Sequence, residues 1–146
     1  MPDLDEPTEP PKGFARDHLR RYLASNGAKG HEWQKGVFTL LLTTVGRRTG
    51  QARQTPLIYG RDGDDYVVVA SLGGSPVAPR WYTNLQVNPR VRIQVGAEVM
   101  DADARTATPD EKSRLWPVMT KIWKYYDGYQ RKTTRKIPIV ILSPVS

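Results

Sequence analysis

The stretch TTVGRRTGQARQTPL, residues 43–57, is the part of the chain from which its fold can be worked out. A threonine-rich apolar run at 37–45 leads into it, and a shorter apolar run at 57–59 leaves it. Apolar runs of this kind predict strands, here at 37–45 and 54–59, and glycines between them let the backbone turn. The turn carries Arg47, Arg48 and Arg53, whose forked donors match phosphate or carboxylate oxygens. The sequence therefore predicts a β-hairpin with an anion-binding turn, and the alternative is an ordinary solvated turn.

Strand and helix signals continue on both sides of this hairpin. Helices are predicted over 14–25 and 108–123, with a shorter helical segment around 81–87. The remaining strands are predicted at 66–70, 91–95, 98–107 and 137–142. About six mainly antiparallel strands with about three helices indicate an α+β domain built on a small barrel. Residues 1–12, rich in proline and acids, are predicted to be a flexible leader before a single domain at 13–146.

Composition narrows the range of functions. The 146 residues carry a net charge of +7 and no cysteine, which excludes disulfides and a cysteine nucleophile. Two scattered histidines, His18 and His31, predict neither a metal site nor a hydrolytic triad. No apolar run is long enough to span a membrane, so a cytoplasmic protein is expected. The basic amphipathic segment at 14–25 leaves peripheral membrane contact open.

Two further segments are candidates for a binding site. Ser71-Leu72-Gly73-Gly74 follows a predicted strand and can present backbone N–H groups to phosphate or to the carbonyl edge of a ring, or be a plain loop. Tyr126 and Tyr129 share one face of a helix and are predicted to line a pocket, with core packing as the alternative. For Trp81, core packing is favoured. A chain rich in anion donors but lacking its own catalytic set indicates that a cofactor supplies the chemistry.

Three segments, in this order and spacing, resemble the deazaflavin (coenzyme F420)-dependent nitroreductase and quinone reductase family of mycobacteria and other actinobacteria. They are LLTTVGRRTGQAR at 41–53, VASLGG at 69–74 and PRWYTNLQVNP at 79–89, and RKIPIV at 135–140 also fits. The resemblance implies a flavin-binding type of split β-barrel. It implies coenzyme F420, an 8-hydroxy-5-deazaflavin with a phospholactyl-oligoglutamate tail, and no metal. The polyanionic tail would account for the basic turn.

The resemblance also assigns roles by position. It implies that the coenzyme is bound by Arg47, Arg48, Thr49, Arg53, Pro56, Leu57, Ser71, Gly73, Gly74 and Trp81. The acceptor would contact Trp123, Tyr126 and Tyr129, with Ser71, Tyr126 and Tyr129 as the catalytic candidates. Leu72 stands where some members have a lysine, and Trp123 replaces a tyrosine of the substrate wall.

The expected activity is hydride transfer from carbon 5 of the reduced deazaflavin to a quinone, a nitroaromatic or an activated enone. The expected partner is a small-molecule acceptor rather than nucleic acid, and the protein would be a monomer or a homodimer. One alternative is a flavin mononucleotide-dependent oxidoreductase of the same barrel class. Another is a non-enzymatic basic module that binds nucleic acid or anionic lipid.

Overall fold

The computed structural model describes residues 4–145, and within them the chain forms eight strands and four α-helices. The strands are β1 (Glu32–Gln34), β2 (Val37–Val45), β3 (Ala52–Ile58), β4 (Gly60–Asp62), β5 (Asp65–Val69), β6 (Arg90–Val95), β7 (Glu98–Thr106) and β8 (Ile139–Pro144). The helices are α1 (Phe14–Ala24), α2 (Arg80–Val87), α3 (Pro109–Ile122) and α4 (Tyr126–Arg131), with a 3₁₀ turn over Leu72–Gly74.

The strands form one antiparallel sheet that curls into a barrel. Its order is β1-β2-β6-β7-β8-β5-β4, and β3 pairs with β2. Only Tyr59 separates β3 from β4, so one stretch of chain pairs with β2 at its start and with β5 at its end. This change of partner brings the two ends of the sheet together. The predicted α+β fold built on a barrel is confirmed.

The structure contains more elements than the sequence predicts. The strand predicted at 54–59 is β3, which begins two residues earlier and ends one residue earlier, and the short strand β4 follows directly after Tyr59. Strands of three residues, such as β1 and β4, are too short to give a periodic signal. The predicted helix start at 108 is confirmed, because Thr108 Oγ1 accepts a hydrogen bond from Glu111 N and Thr108 N donates to Glu111 Oε1.

The N-terminal segment contacts the barrel within its described part. Thr8 lies beside β3, where its N–H donates to Ala52 O at 2.8 Å and its carbonyl accepts from Gln54 N at 3.0 Å. The Glu9 carboxylate pairs with Arg20 at 2.6 Å. Residues 1–3 and 146 lie outside the described residues, so the flexibility of the leader and the domain boundary at residue 13 stay predictions.

Strand β2 is buried on both faces, which accounts for its continuous apolar run. Leu40 and Leu42 lie in the main core inside the barrel. Leu41, on the other face, packs against Leu19 and Tyr22 of α1. A second core forms between the outer face of the sheet and helices α3 and α4. Burial of these side chains fixes the register of β2 and therefore the place where its turn into β3 emerges.

Candidate active site

Two adjoining cavities open beside the β2–β3 turn. The larger has a volume of about 730 Å³ and the smaller about 260 Å³. Arg53, Arg80 and Asn84 line both of them. A ligand can therefore extend from one cavity into the other past these three side chains.

The smaller cavity is built on the turn that the sequence singled out. Its remaining lining residues are Gly46, Arg47, Arg48 and Thr49. The turn is closed by hydrogen bonds from Gly46 N to Gln51 O at 2.8 Å and from Gly50 N to Gly46 O at 2.9 Å. Gly50 has φ +71°, a conformation that favours glycine. The local sequence therefore shapes this end of the site.

The arginines of the smaller cavity keep their charge available. Within residues 4–145, no carboxylate forms an ion pair with Arg47, Arg48, Arg53 or Arg80. Other arginines of the chain, such as Arg92, pair with aspartates. Four unpaired guanidinium groups around one cavity are suited to a ligand that carries several negative charges.

Asn84 of α2 holds the arginine turn in place. Its side chain is buried, and Oδ1 accepts hydrogen bonds from Arg47 N at 3.1 Å and Arg47 Nη1 at 3.3 Å. Arg80 and Asn84 belong to the motif at 79–89, but the sequence alone predicts no role for either. The spacing of residues in that motif does not show that α2 returns to the turn 37 residues earlier in the chain.

The larger cavity is mostly apolar. It takes its lining from the N-terminal segment, α1, β1, β3, the loop after β5, α2 and the chain around α4. Pro56 and Leu57 of β3 and Val69 of β5 form part of this lining. A cavity of this size and polarity suits a planar ring with a second small molecule beside it.

Aromatic side chains form one wall of the larger cavity. Trp33 of β1 and Trp123 after α3 lie with their ring centroids 5.3 Å apart, and Phe14 lies 5.9 Å from Trp33. The Trp123 indole donates a hydrogen bond to the Tyr129 hydroxyl at 3.3 Å. Sequence reasoning missed Phe14 and Trp33, because neither belongs to a motif or to a cluster of aromatic residues.

Hydroxyl groups also line this cavity, and among them those of Ser71 and Tyr126 belong to buried residues. Burial raises the pKa of Tyr126 above its ordinary value, and the nearby Tyr129 adds to the effect. The Tyr126 hydroxyl forms no hydrogen bond within the described chain. Every fully buried side-chain oxygen in that part of the chain has a hydrogen-bond partner, so the Tyr126 oxygen is not fully buried. The hydroxyl therefore reaches open space and stays protonated at neutral pH.

The structure brings nearly all the predicted site residues together. Arg47, Arg48 and Thr49 line the smaller cavity, and Arg53 lines both. The larger cavity contains Pro56, Leu57, Ser71, Gly73, Trp81, Trp123, Tyr126 and Tyr129. Trp81 is half-buried: it packs against the barrel core and also lines the larger cavity, and its role in cofactor binding stays a prediction.

Gly74 is the exception, since it lines neither cavity. A Cβ atom there would lie 2.7 Å from Tyr129 O. A glycine is required at this position because the loop packs closely on α4. The structure therefore places Gly74 against the protein backbone and away from both cavities. No group of three histidine, cysteine or acidic side chains that could hold a metal ion occurs in residues 4–145.

Comparison with known proteins agrees with this geometry. The family model described as F420H(2)-dependent quinone reductase matches residues 14–144. An F420H(2)-dependent quinone reductase of Mycobacterium tuberculosis is 41% identical over 131 residues, which cover 88% of each chain.

Solved structures show the same fold. One described as an F420-H2 dependent reductase has a TM-score of 0.67 at 37% identity, covering 72% of this chain and 93% of its own. Another, described as a domain-swapped dimer, has a TM-score of 0.69 at 33% identity, covering 88% of this chain and 96% of its own. The predicted split β-barrel is confirmed. The chain therefore belongs to the F420H(2)-dependent quinone reductase family, and it is an oxidoreductase whose cofactor is coenzyme F420.

Proposed function

We propose that this chain reduces a quinone with reduced coenzyme F420. In this proposal the smaller cavity binds the tail of the coenzyme, and the larger cavity binds its ring and the quinone. The observation that carries the proposal is the junction at Arg53, Arg80 and Asn84, where an arginine-lined cavity meets an apolar one. The donor set fits the cofactor, because the coenzyme joins a planar ring to a polyanionic tail. Each part of that molecule has a cavity of matching chemistry.

The residues of the smaller cavity would hold the tail. Arg47, Arg48 and Arg53 offer charged donors and Thr49 a neutral one, as proposed from the sequence, and Arg80 joins them. Pro56, Leu57 and Trp81 would contact the ring in the larger cavity. When bound, reduced coenzyme F420 supplies the hydride.

The side chains of the protein contribute to the reaction by positioning the acceptor and by donating one proton to it. Ser71 and Tyr126 offer hydroxyl groups to an oxygen of the acceptor. Burial raises the pKa of Tyr126, so its hydroxyl stays neutral and can donate a hydrogen bond, and then its proton, to an acceptor oxygen that gains negative charge and becomes the stronger base. Tyr129 is fixed by Trp123, so we assign it to the wall. The indoles of Trp33 and Trp123 keep water from this region.

Nitroaromatics and activated enones remain proposed acceptors. The larger cavity has room beside a ring, and its aromatic wall would stack on any flat, electron-poor molecule. Steady-state comparison of menadione, a nitroaromatic and a cyclic enone, at equal concentration of reduced coenzyme, ranks these classes. A quinone rate below both others would contradict the proposal.

A spectral titration tests the proposed function directly. Purified protein is titrated with oxidised coenzyme F420 and, separately, with flavin mononucleotide, and reduced coenzyme is then mixed with menadione. We expect saturable binding of the deazaflavin and its oxidation only when quinone and protein are both present. Binding of flavin mononucleotide alone would favour the flavin alternative, and binding without turnover would exclude the quinone reductase role.

We also propose peripheral membrane contact of a cytoplasmic protein through α1. Phe14 and Leu23 are exposed beside Arg20 and Arg21. No described helix is both long and apolar enough to cross a bilayer. Co-sedimentation with anionic vesicles, compared for the unchanged protein and Leu23→Ser, tests this contact, and equal sedimentation of the two would contradict it. We propose that the protein is a monomer or a homodimer, and analytical ultracentrifugation distinguishes the two.

A further inference from the structure

The loop after β5 has a backbone shape that binds negative charge. Ser71 is in the right-handed helical region (φ −85°, ψ −37°), and Leu72 (φ +44°) and Gly73 (φ +63°) follow in the left-handed region. A right-handed residue followed by a left-handed one turns successive N–H groups toward one point, an arrangement called a nest. We refer to the N–H groups of Ser71, Leu72 and Gly73 as the Ser71 nest.

None of the three N–H groups of the Ser71 nest donates a hydrogen bond to another described residue. Within residues 4–145, the N–H groups that bond around this loop are those of Ala70, Gly74 and Ser75, which lie on either side of it. All three nest residues line the larger cavity. Leu72 takes its positive φ without being glycine, so the conformation is held in place by the surroundings.

Arg135 supplies that support from behind the loop. Its Nη2 donates hydrogen bonds to Ser71 O at 2.8 Å and to Ala70 O at 3.2 Å, and its Nε donates to Ser75 O at 2.8 Å. Nη1 adds a second bond to Ala70 O at 3.2 Å. No acidic side chain pairs with Arg135 in the described residues, so its positive charge is directed at backbone carbonyls alone.

The choice of carbonyls matters. Ala70 C=O belongs to the same peptide group as the N–H of Ser71, and Ser71 C=O belongs to the same group as the N–H of Leu72. A charged donor on a carbonyl polarises its peptide group and strengthens the N–H as a donor. Arg135 therefore acts on two of the three nest groups without lining the cavity itself.

The segment that carries Arg135 is itself fixed. Gln130 of α4 donates through Nε2 to Arg135 O at 2.8 Å and accepts from Ile137 N at 2.9 Å. Gly74 lies against the backbone of Tyr129 on the same helix. The nest, Arg135 and α4 thus form one hydrogen-bonded and packed unit.

We propose that Arg135 is a positioning residue that holds the Ser71 nest in shape and adds its charge to it, so that the nest binds a conjugated carbonyl oxygen that gains negative charge. This inference rests on the proposed function, which places such oxygens in the larger cavity. Both the ring of the deazaflavin and a quinone carry oxygens of this chemistry.

The first test uses the coenzyme's own ionisation. The ring hydroxyl of oxidised coenzyme F420 ionises, its charge spreads to the ring carbonyls, and the absorption spectrum reports the change. The apparent pKa of the bound coenzyme is measured by pH titration for the unchanged protein, Arg135→Gln, Arg135→Lys and the control Arg90→Gln. Arg90 is exposed and pairs with Asp103, so its variant removes the same charge away from the cavities.

We expect Arg135→Gln to reduce the preference for the anionic coenzyme roughly tenfold, which raises its apparent pKa by about one unit. Arg135→Lys should recover part of this loss, because it restores the charge but not the fork. Arg90→Gln should match the unchanged protein. Equal apparent pKa in Arg135→Gln and the unchanged protein would overturn the coenzyme form of the proposal. Failure of the unchanged protein to bind coenzyme would instead overturn the proposed function.

The second test uses the unchanged protein and separates the two sources of the oxygen. Amide nuclear magnetic resonance follows the N–H signals of Ser71 and Leu72 on addition of oxidised coenzyme, of menadione, and of both. Shifts with coenzyme alone assign the nest to the ring, and shifts that need menadione assign it to the acceptor. Unmoved signals under all three conditions would overturn the proposal, even if no Arg135 variant folds.

Discussion

The smaller cavity takes its polar groups from one turn, the start of β3 and one helix, whereas the larger cavity takes its lining from segments spread over most of the chain. The arginine end of the site, defined as the lining of the smaller cavity, is organised by charge. The aromatic end, defined by Phe14, Trp33, Trp123, Tyr126 and Tyr129, is organised by packing. We infer that the choice of cofactor is determined by residues in a short stretch of sequence, and that the choice of acceptor is determined by residues that only the complete fold brings together.

The largest effect is expected from removing one hydroxyl at the aromatic end. Tyr126→Phe should lower kcat for menadione by roughly 100-fold, the usual scale for loss of a general acid, with the Kd for coenzyme F420 unchanged. Tyr125→Phe is the matched control, because Tyr125 is exposed and lines neither cavity. Stopped-flow oxidation of reduced coenzyme measures kcat.

The pH profile adds to this test. Since burial raises the pKa of Tyr126, the unchanged protein should not lose activity through this group at pH 9. A weakened affinity for the coenzyme in Tyr126→Phe, with kcat preserved, would contradict the proposal that the arginine end binds the coenzyme and the aromatic end serves the chemistry.

At the arginine end, Arg53→Gln should weaken coenzyme binding by roughly 10- to 100-fold, since a charge-assisted hydrogen bond contributes about 1.5–3 kcal/mol. The kcat at saturating coenzyme should change little. Spectral titration at two salt concentrations measures the Kd, and the salt dependence should be smaller in the variant because one charge is lost. Arg90→Gln serves as the charge-matched control. A Kd equal in both variants would remove Arg53 from the tail site.

The same contrast explains how far the sequence could predict the structure. Strand β2 was predicted at 37–45 with the bounds that the structure shows, because burial on both faces produces an unbroken apolar run. The cap of α3 was predictable because Thr108 and Glu111 bond within one turn of helix. The anion-binding turn belongs to this group, since its donors and glycines are neighbours in the chain.

The aromatic end required the fold. Trp33 meets Trp123 across 90 residues of chain, and neither residue type nor spacing predicts that contact. Asn84 reaches Arg47 only because α2 lies across the end of β2, which no local pattern indicates. Gly74 was assigned to the cofactor from its position beside Gly73, although its lack of a side chain is needed for packing against Tyr129.

Asn84 connects the two ends, and its removal should therefore affect both stability and binding. Asn84→Leu keeps the branched shape of the side chain but leaves the Arg47 N–H without its acceptor, which should lower the free energy of unfolding by about 1–3 kcal/mol. Coenzyme binding should weaken less than in Arg53→Gln, because no charge is removed. Urea denaturation and spectral titration measure the two effects. Gln86→Leu, an exposed change on the same helix, is the control, and equal stability of the two variants would contradict the role of Asn84.

The smallest effect is expected from pH, and part of it should come from a histidine beside the aromatic end. His18 of α1 is buried, with Nε2 within 3.1 Å of both Gly30 O and Thr39 Oγ1, and its ring lies near Phe14 and Trp33. Burial lowers the pKa of His18, and the charge of Arg21 adds to this shift. The unfolded chain then binds the proton more readily than the folded one, so stability is lost as pH falls below the ordinary histidine value of about 6.5.

His18→Gln should flatten this loss while keeping a hydrogen-bonding side chain at the position. The free energy of unfolding, measured in urea at pH 7.5 and pH 5.5, should fall less in the variant than in the unchanged protein. The pKa of His31 is lowered by burial as well, so part of the acid sensitivity should remain. An identical pH dependence in His18→Gln would place the acid-sensitive group outside α1.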